Sequence, residues 1–168
     1  MKPRYLIAVC LLWVCVCAVI PVNAFTADTL SITINSNGDA TAVMNYELTF
    51  AEQAAIFFHA ADPATQLQNA ISSNFGGQAT VVHADMSSAE VLVPSFASVT
   101  TSGQQTTITT PSFSFERAQQ VMQQYWYASL ISPHLAPQVT TITFPDGHQV
   151  TYYNQISFPS VTYQMATP

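Results

Sequence analysis

Beyond residue 24 the chain has no cysteine and no lysine, and Arg117 is its one arginine. The missing thiols exclude disulfides and cysteine chemistry from this part. Cys10, Cys15 and Cys17 all lie in the N-terminal segment, together with Lys2 and Arg4. Nine acidic residues against one arginine give residues 25–168 a net charge of −8 with His neutral. Nucleic-acid binding is thereby excluded, because neutralising phosphates needs clustered Lys and Arg. Anionic lipid headgroups are disfavoured for the same reason. Charge of either sign is scarce: Asp, Glu, Lys and Arg make up 7% of the chain, against about 25% of an ordinary globular protein. The exterior must therefore be built from Thr, Ser, Gln and Asn, which suits a structural or interaction protein outside the cell. Halophilic adaptation would need dense carboxylates.

What is present begins with a leader. Lys2 and Arg4 precede an uninterrupted apolar run from Leu6 to Ile20, followed by Pro21 and the small-residue site Val22-Asn23-Ala24. This is the layout of a secretory signal peptide, cleaved so that Phe25 becomes the N-terminus. An uncleaved anchor fits less well, since a span needs about 20 apolar residues. Lipidation fits less well too, because no cysteine follows a suitable small residue. Either way Lys2 and Arg4 stay inside and the remainder is outside. Residues 25–168 are expected to form a single domain, large enough to bury one core without disulfides.

Leu30, Ile32 and Ile34 alternate with polar residues up to Asn37-Gly38, and Ala42, Met44, Tyr46 and Leu48 resume the period of two. This predicts a hairpin with Asn-Gly in left-handed conformations. Thr49-Phe50-Ala51-Glu52 is a capping box and predicts a helix from about Phe50 to Ala60. Asp62-Pro63 restarts it, Leu67, Ala70 and Ile71 share one face, and Gly76-Gly77 stops it. Strands are predicted over Ala79–Asp85, Ala89–Val99 and Thr106–Thr110, with Pro94 demoting the second to an edge or a bulge. Phe115, Ala118, Met122, Tyr125 and Trp126 fall at helical spacing and predict a helix from about Ser114 to Leu130, broken by Pro133 and Pro137. Val139–Phe144, the turn Pro145-Asp146-Gly147, Gln149–Tyr153 and Ile156–Tyr163 return to β. This order, without βαβ alternation, predicts an α+β fold: a mainly antiparallel sheet with helices packed on one face.

The stretch Tyr125-Trp126-Tyr127-Ala128, Leu130-Ile131-Ser132-Pro133, Val139–Phe144 and Pro145-Asp146-Gly147 resembles uncharacterised secreted proteins of methanogenic archaea, with a weaker match at Phe50–Asp62. The resemblance implies a cell-surface or exported context and carries no activity and no site residues.

Three histidines have an acidic neighbour in sequence: His59 with Asp62, His83 with Asp85, and His148 with Asp146, while His134 stands apart. His83, Asp85, Asp146 and His148 are weak metal candidates. No His-x-x-x-His or His-Glu-x-x-His is present, so such ligands would have to converge from distant segments. Asn35-Ser36-Asn37-Gly38-Asp39 places oxygens at alternate positions like a calcium loop, but it lacks the distal bidentate Glu, and a hairpin turn explains the same residues. Nucleophilic catalysis has no foothold without Cys or Gly-x-Ser-x-Gly. Glu47, Glu52, Glu90 and Glu116 offer carboxylates for glycoside hydrolysis, though Glu52 and Glu116 suit helix first turns. Arg117 has no carboxylate at i±4, so its expected partner is a distant acidic residue or a ligand carboxylate. Tyr125, Trp126 and Tyr127 cannot all face a core. Those left over pack under the Pro133–Pro137 loop or form a stacking platform for a sugar or a partner protein.

No cofactor is called for. The preferred reading is a non-enzymatic, exported domain with a structural or interaction role in the cell envelope, its partner an envelope protein or a glycan. A small-ligand or carbohydrate-binding module using Tyr125, Trp126, Tyr127 and Arg117 comes second, and a secreted hydrolase third.

Overall fold

The computed structural model describes residues 26–48, 68, 79–122 and 134–166, with backbone alone at 121–122. The leader, most of the predicted helical region at 50–77, and Tyr125–Tyr127 lie outside these residues. Among the described residues eleven strands are formed: β1 (Thr26–Ile34), β2 (Ala40–Glu47), β3 (Thr80–Ala84), β4 (Ser88–Val93), β5 (Ser98–Ser102), β6 (Gln105–Thr109), β7 (Phe113–Ser114), β8 (Val139–Thr143), β9 (Gln149–Tyr153), β10 (Ser157–Phe158) and β11 (Thr162–Ala166). One helix, α1 (Glu116–Met122), separates β7 from β8 among the described residues. The strands make a six-stranded sheet in the order β3-β4-β2-β1-β8-β9, a three-stranded sheet β11-β6-β5 and a two-stranded sheet β10-β7. Among the described strands β1 and β8 pair in parallel and the other ladders are antiparallel.

The expected α+β fold is therefore corrected to a mainly β one. The face of the six-stranded sheet that the sequence assigns to helices is met by a second sheet. Leu30, Ile32, Ile34, Ala40, Ile142 and Phe144 from the large sheet and its turns share one core with Phe96, Ala97 and Ile108, and Val99, Tyr163 and Met165 pack against it. The reason lies at two prolines. The predicted single strand Ala89–Val99 is two: Pro94 has no N–H for a ladder, Ser95 takes φ 53°, and the chain leaves β4 for β5 in the other sheet. Likewise Pro159 divides the predicted Ile156–Tyr163 into β10 and β11. The segments after each proline supply the three-stranded sheet that covers the core.

The predicted hairpins form, and they are built alike. In β1–β2, Gly38 N donates to Asn35 O at 3.0 Å and Asn35 N to Asp39 O at 2.8 Å. In β8–β9, Gly147 N donates to Phe144 O at 2.9 Å and Phe144 N to His148 O at 2.8 Å. Gly38 (φ 89°) and Gly147 (φ 88°) take the left-handed position of a three-residue loop, whereas Asn37 does not, which corrects the two-residue Asn-Gly turn. Because β1 lies parallel to β8, the two hairpins sit side by side at the centre of the large sheet.

The predicted helix at Ser114 begins at Glu116, whose N–H donates to Ser114 Oγ at 3.2 Å. The residues just before it form an aromatic cluster: Phe113 stacks on Phe158 with centroids 4.6 Å apart, and Phe96, Phe115 and Tyr152 meet these rings edge-on. The cluster ties β7 and β10 to the core, since such edge and offset contacts stabilise beyond their buried area.

Candidate functional site

The His-Asp pairs marked by the sequence stand apart. His83 Nε2 lies 3.0 Å from Asp85 Oδ2, with the two side chains 57% and 45% exposed. The other carboxylate oxygen of Asp85 accepts the N–H groups of Ser87 (2.7 Å) and Ser88 (2.8 Å) and the Ser87 hydroxyl (3.1 Å). The Ser87 N–H first, then His83 and the Ser88 N–H, hold the Asp85 carboxyl well below the usual carboxylate range. Tyr46 adds a hydroxyl donated to Asp85 O at 2.7 Å. These contacts saturate Asp85 as the clamp of the β3–β4 turn.

Asp146 and His148 occupy the β8–β9 turn, on the far side of the same sheet from β3. Tyr163 Oη donates to Asp146 Oδ2 at 2.7 Å, and His148 N donates to Oδ1 at 3.0 Å. The His148 ring lies flat on Tyr163, centroids 4.3 Å apart and planes 2° apart. The pair is a latch from the large sheet onto β11. The Tyr163 bond first, then the His148 N–H, lower the Asp146 carboxyl, and the same bond raises Tyr163. Among the described residues no three His, Cys, Asp or Glu side chains converge as metal ligands.

The calcium-like segment is likewise a joint. Asp39 Oδ1 accepts Ser95 N at 2.7 Å, Asn37 Nδ2 donates to Asp39 Oδ2 at 2.6 Å, and Gly38 O accepts Ala97 N at 2.8 Å. A Cβ on Gly38 would stand 2.3 Å from Ala97 O, so only glycine lets the loop dock on the crossover from β4 to β5. Arg117 is exposed on α1 and forms no ion pair with a described carboxylate. Glu116 accepts Ser157 Oγ at 3.1 Å, and Glu90 pairs across strands with His83. His134 forms an isolated bridge to Thr26. Tyr125, Trp126, Tyr127, His59, Glu52 and Asp62 lie outside the described residues.

What sequence reasoning missed is a surface. The inner residues Val99, Ile108 and Tyr163 form one row across β5, β6 and β11. The alternate rows therefore face outward: Ser98-Thr109-Thr162, Thr100-Thr107-Gln164 and Ser102-Gln105-Ala166. All nine are exposed or half-exposed, and none is charged. Thr109 and Thr162 bring their hydroxyls within 3.2 Å of each other. Beside the first row an open depression of ≈ 530 Å³ is lined by Ser95, Phe96, Ala97, Ser98, Thr109, Thr110 and Pro111, again without charge.

The outer face of the large sheet is also hydroxyl-rich. Thr143, Thr33 and Thr41 form one row, and Thr141 and Ser31 lie in the next, which runs on to Val43 and Glu90. Charge separates the two sheets. The seven described acidic residues, Asp28, Asp39, Glu47, Asp85, Glu90, Glu116 and Asp146, lie on the large sheet, its turns and α1. None lies on β5, β6 or β11. The signal was countable in advance, because residues 91–115 and 147–168 contain no Asp, Glu, Lys or Arg.

Comparison with protein-family models, with curated proteins and with solved structures found no match.

Proposed function

We propose that the chain is an exported, non-enzymatic domain that acts through surface contact in the cell envelope, and that the outer face of the three-stranded sheet is its contact surface. The observation that carries this is the nine-residue outer grid of β5, β6 and β11, eight of its side chains hydroxyls or amides and the ninth Ala166, free of charge in a strongly acidic protein. Such a surface loses little on desolvation when its hydroxyls and amides find new hydrogen bonds. It presents none of the fixed charges that would select an ionic partner. The leader, Lys2 to Ala24, supports the exported location.

The natively produced protein is expected to sediment with isolated envelopes and to stay bound in about 1 M salt, where the screening length is about 3 Å. Recovery in the cytosol, or elution by that salt, would overturn the reading. A carbohydrate-binding role is the second reading, favoured by the depression beside Ser98 and Thr109, whose hydroxyls and apolar Phe96 and Pro111 walls suit a neutral sugar. Displacement from envelopes by neutral oligosaccharides separates it from a protein partner.

A further inference from the structure

The edges of the two larger sheets are treated differently. Strand β3 ends the large sheet and is guarded: Val81 N donates to Gln68 Oε1 at 2.8 Å and Gln68 Nε2 donates to Ala79 O at 2.8 Å, so one side-chain amide takes the place of a neighbouring strand. A bulge between Val81 and His83 further breaks its register. Strand β5 ends the small sheet and has none of these devices among the described residues. It pairs with β6 through five consecutive residues without a register shift, and it contains no charge and no proline. Ser98, Thr100, Thr101 and Ser102 are all exposed. An unbroken, uncharged edge of this kind is a template for another strand, which proteins ordinarily avoid with charges, prolines or bulges.

We infer that β5 is a homotypic contact site, at which the β5 strands of two copies pair antiparallel about a two-fold axis through Thr100. Three observations select a second copy of the chain as the occupant. The first is self-complementarity. Outward-facing β5 residues read Ser98, Thr100, Ser102, so antiparallel pairing sets Ser98 against Ser102 of the second copy and Thr100 against its own equivalent. Inward, Val99 meets Thr101. Hydroxyl and β-branched cross-strand pairs of this kind stabilise a ladder, and a two-fold contact requires such self-matching. The second is charge. Two copies of residues 25–168, each with a net charge of −8 with His neutral, repel each other over most approaches, and the small sheet is the part whose strands carry no acidic residue. The third is contrast with the remaining edges. On β9 the outward order Gln149, Thr151, Tyr153 would set Gln149 against a tyrosine that is 66% exposed. On β11, Tyr163 is tethered to the charged Asp146. Pairing at β5 yields a continuous sheet β11-β6-β5-β5-β6-β11 and leaves both outer grids on one face.

The inference goes beyond the proposed function, which names no partner molecule, and it stands whether or not the grid binds the envelope. Sedimentation velocity of the natively produced protein tests it. The protein is expected to run as a dimer. Thr100→Asp and Thr100→Lys each place like charges at the two-fold axis and are expected to raise the dissociation constant about tenfold or more. Mixing the two variants is expected to restore a dimer, which also shows that both are folded. Thr107→Asp, with the same charge on the same face but on the central strand, is expected to stay dimeric while losing envelope retention. A monomeric parent, a dimer that survives Thr100→Asp, no recovery on mixing, or equal dissociation by Thr107→Asp would each overturn the pairing.

Discussion

The six-stranded and three-stranded sheets share one core but differ in what they present outward. The large sheet carries acidic residues on its strands and turns, and Gln68 guards its β3 edge. The small sheet carries no charge on strands or face and leaves β5 bare. Both sheets satisfy the same folding requirement, because the buried sides of both are mainly aliphatic and aromatic. The difference is therefore not imposed by the core. It teaches that the charge-free half is free to be a contact surface, while like carboxylates on the acidic half oppose contact between copies there.

If the two sheets are one cooperative unit, equivalent core truncations must cost alike. Ile108 of the small sheet and Ile142 of the large one are both 0% exposed. Each substitution to Ala is expected to cost about 2–5 kcal/mol in urea unfolding. A small loss for Ile108→Ala alone would mean that the small sheet is detachable.

Glycine substitutions sharpen the comparison at the turns. Gly38→Ala pushes a Cβ into Ala97 O in a left-handed backbone, at the joint between sheets. Strain and overpacking together are expected to cost about 3 kcal/mol. Gly103, in the β5–β6 turn, has φ 62° with open space around it. Gly103→Ala is expected to cost about 1–2 kcal/mol, the left-handed penalty alone. Equal costs in denaturant melts would contradict the docked joint.

A smaller effect is expected at Thr140, which is 1% exposed with an Oγ1 that has no hydrogen-bond partner. Since an unpaired buried hydroxyl costs about 1–3 kcal/mol, Thr140→Val is expected to leave stability unchanged or raise it by about 1 kcal/mol. A clear loss would show that the hydroxyl is satisfied in solution.

The latch between the sheets predicts a pH signature. The Asp146 carboxyl is lowered, so its contribution is present above the ordinary aspartate range, near pH 4, and is lost as pH falls below it. Tyr163 is raised, so its contribution is present below about pH 10 and is lost as pH rises through its folded value. Tyr163→Phe is expected to flatten both limbs of the unfolding midpoint against pH. Unchanged limbs would mean that the bond does not persist in water.

Local chemistry made part of this legible. Both central hairpins were readable from Asn37-Gly38 and Asp146-Gly147 because their turns need glycine at one position, and alternation placed Leu30, Ile32 and Ile34 correctly in the core. A helix was also readable from its spacing, with its start set at about Ser114, two residues before the observed Glu116. The α+β assignment failed because Pro94 reads as an edge or a bulge and Pro159 passes unnoticed inside one strand in a linear reading, whereas each carries the chain from one sheet to another. That crossing depends on what lies across the core. The His-Asp pairs were readable as pairs, but their roles as a turn clamp and an inter-sheet latch rest on Ser87, Ser88 and Tyr163, whose positions no short-range spacing reveals. The outer grid was hidden for a similar reason, since it joins residues from two charge-free segments that meet only when β6 pairs with β11.

The most direct test of the account places charge on one sheet face and then on the other. Thr107→Asp and Gln164→Asp mark the outer face of the small sheet, and Thr33→Asp and Thr143→Asp that of the large one. Envelope retention of each natively produced variant is then measured by co-sedimentation. A buried, unpaired charge costs about 2–5 kcal/mol at an interface, so the first two are expected to lose retention by about tenfold or more while the second two remain near the parent. Equal retention by all four variants, or loss confined to Thr33→Asp and Thr143→Asp, would contradict the assignment of the charge-free sheet as the contact surface.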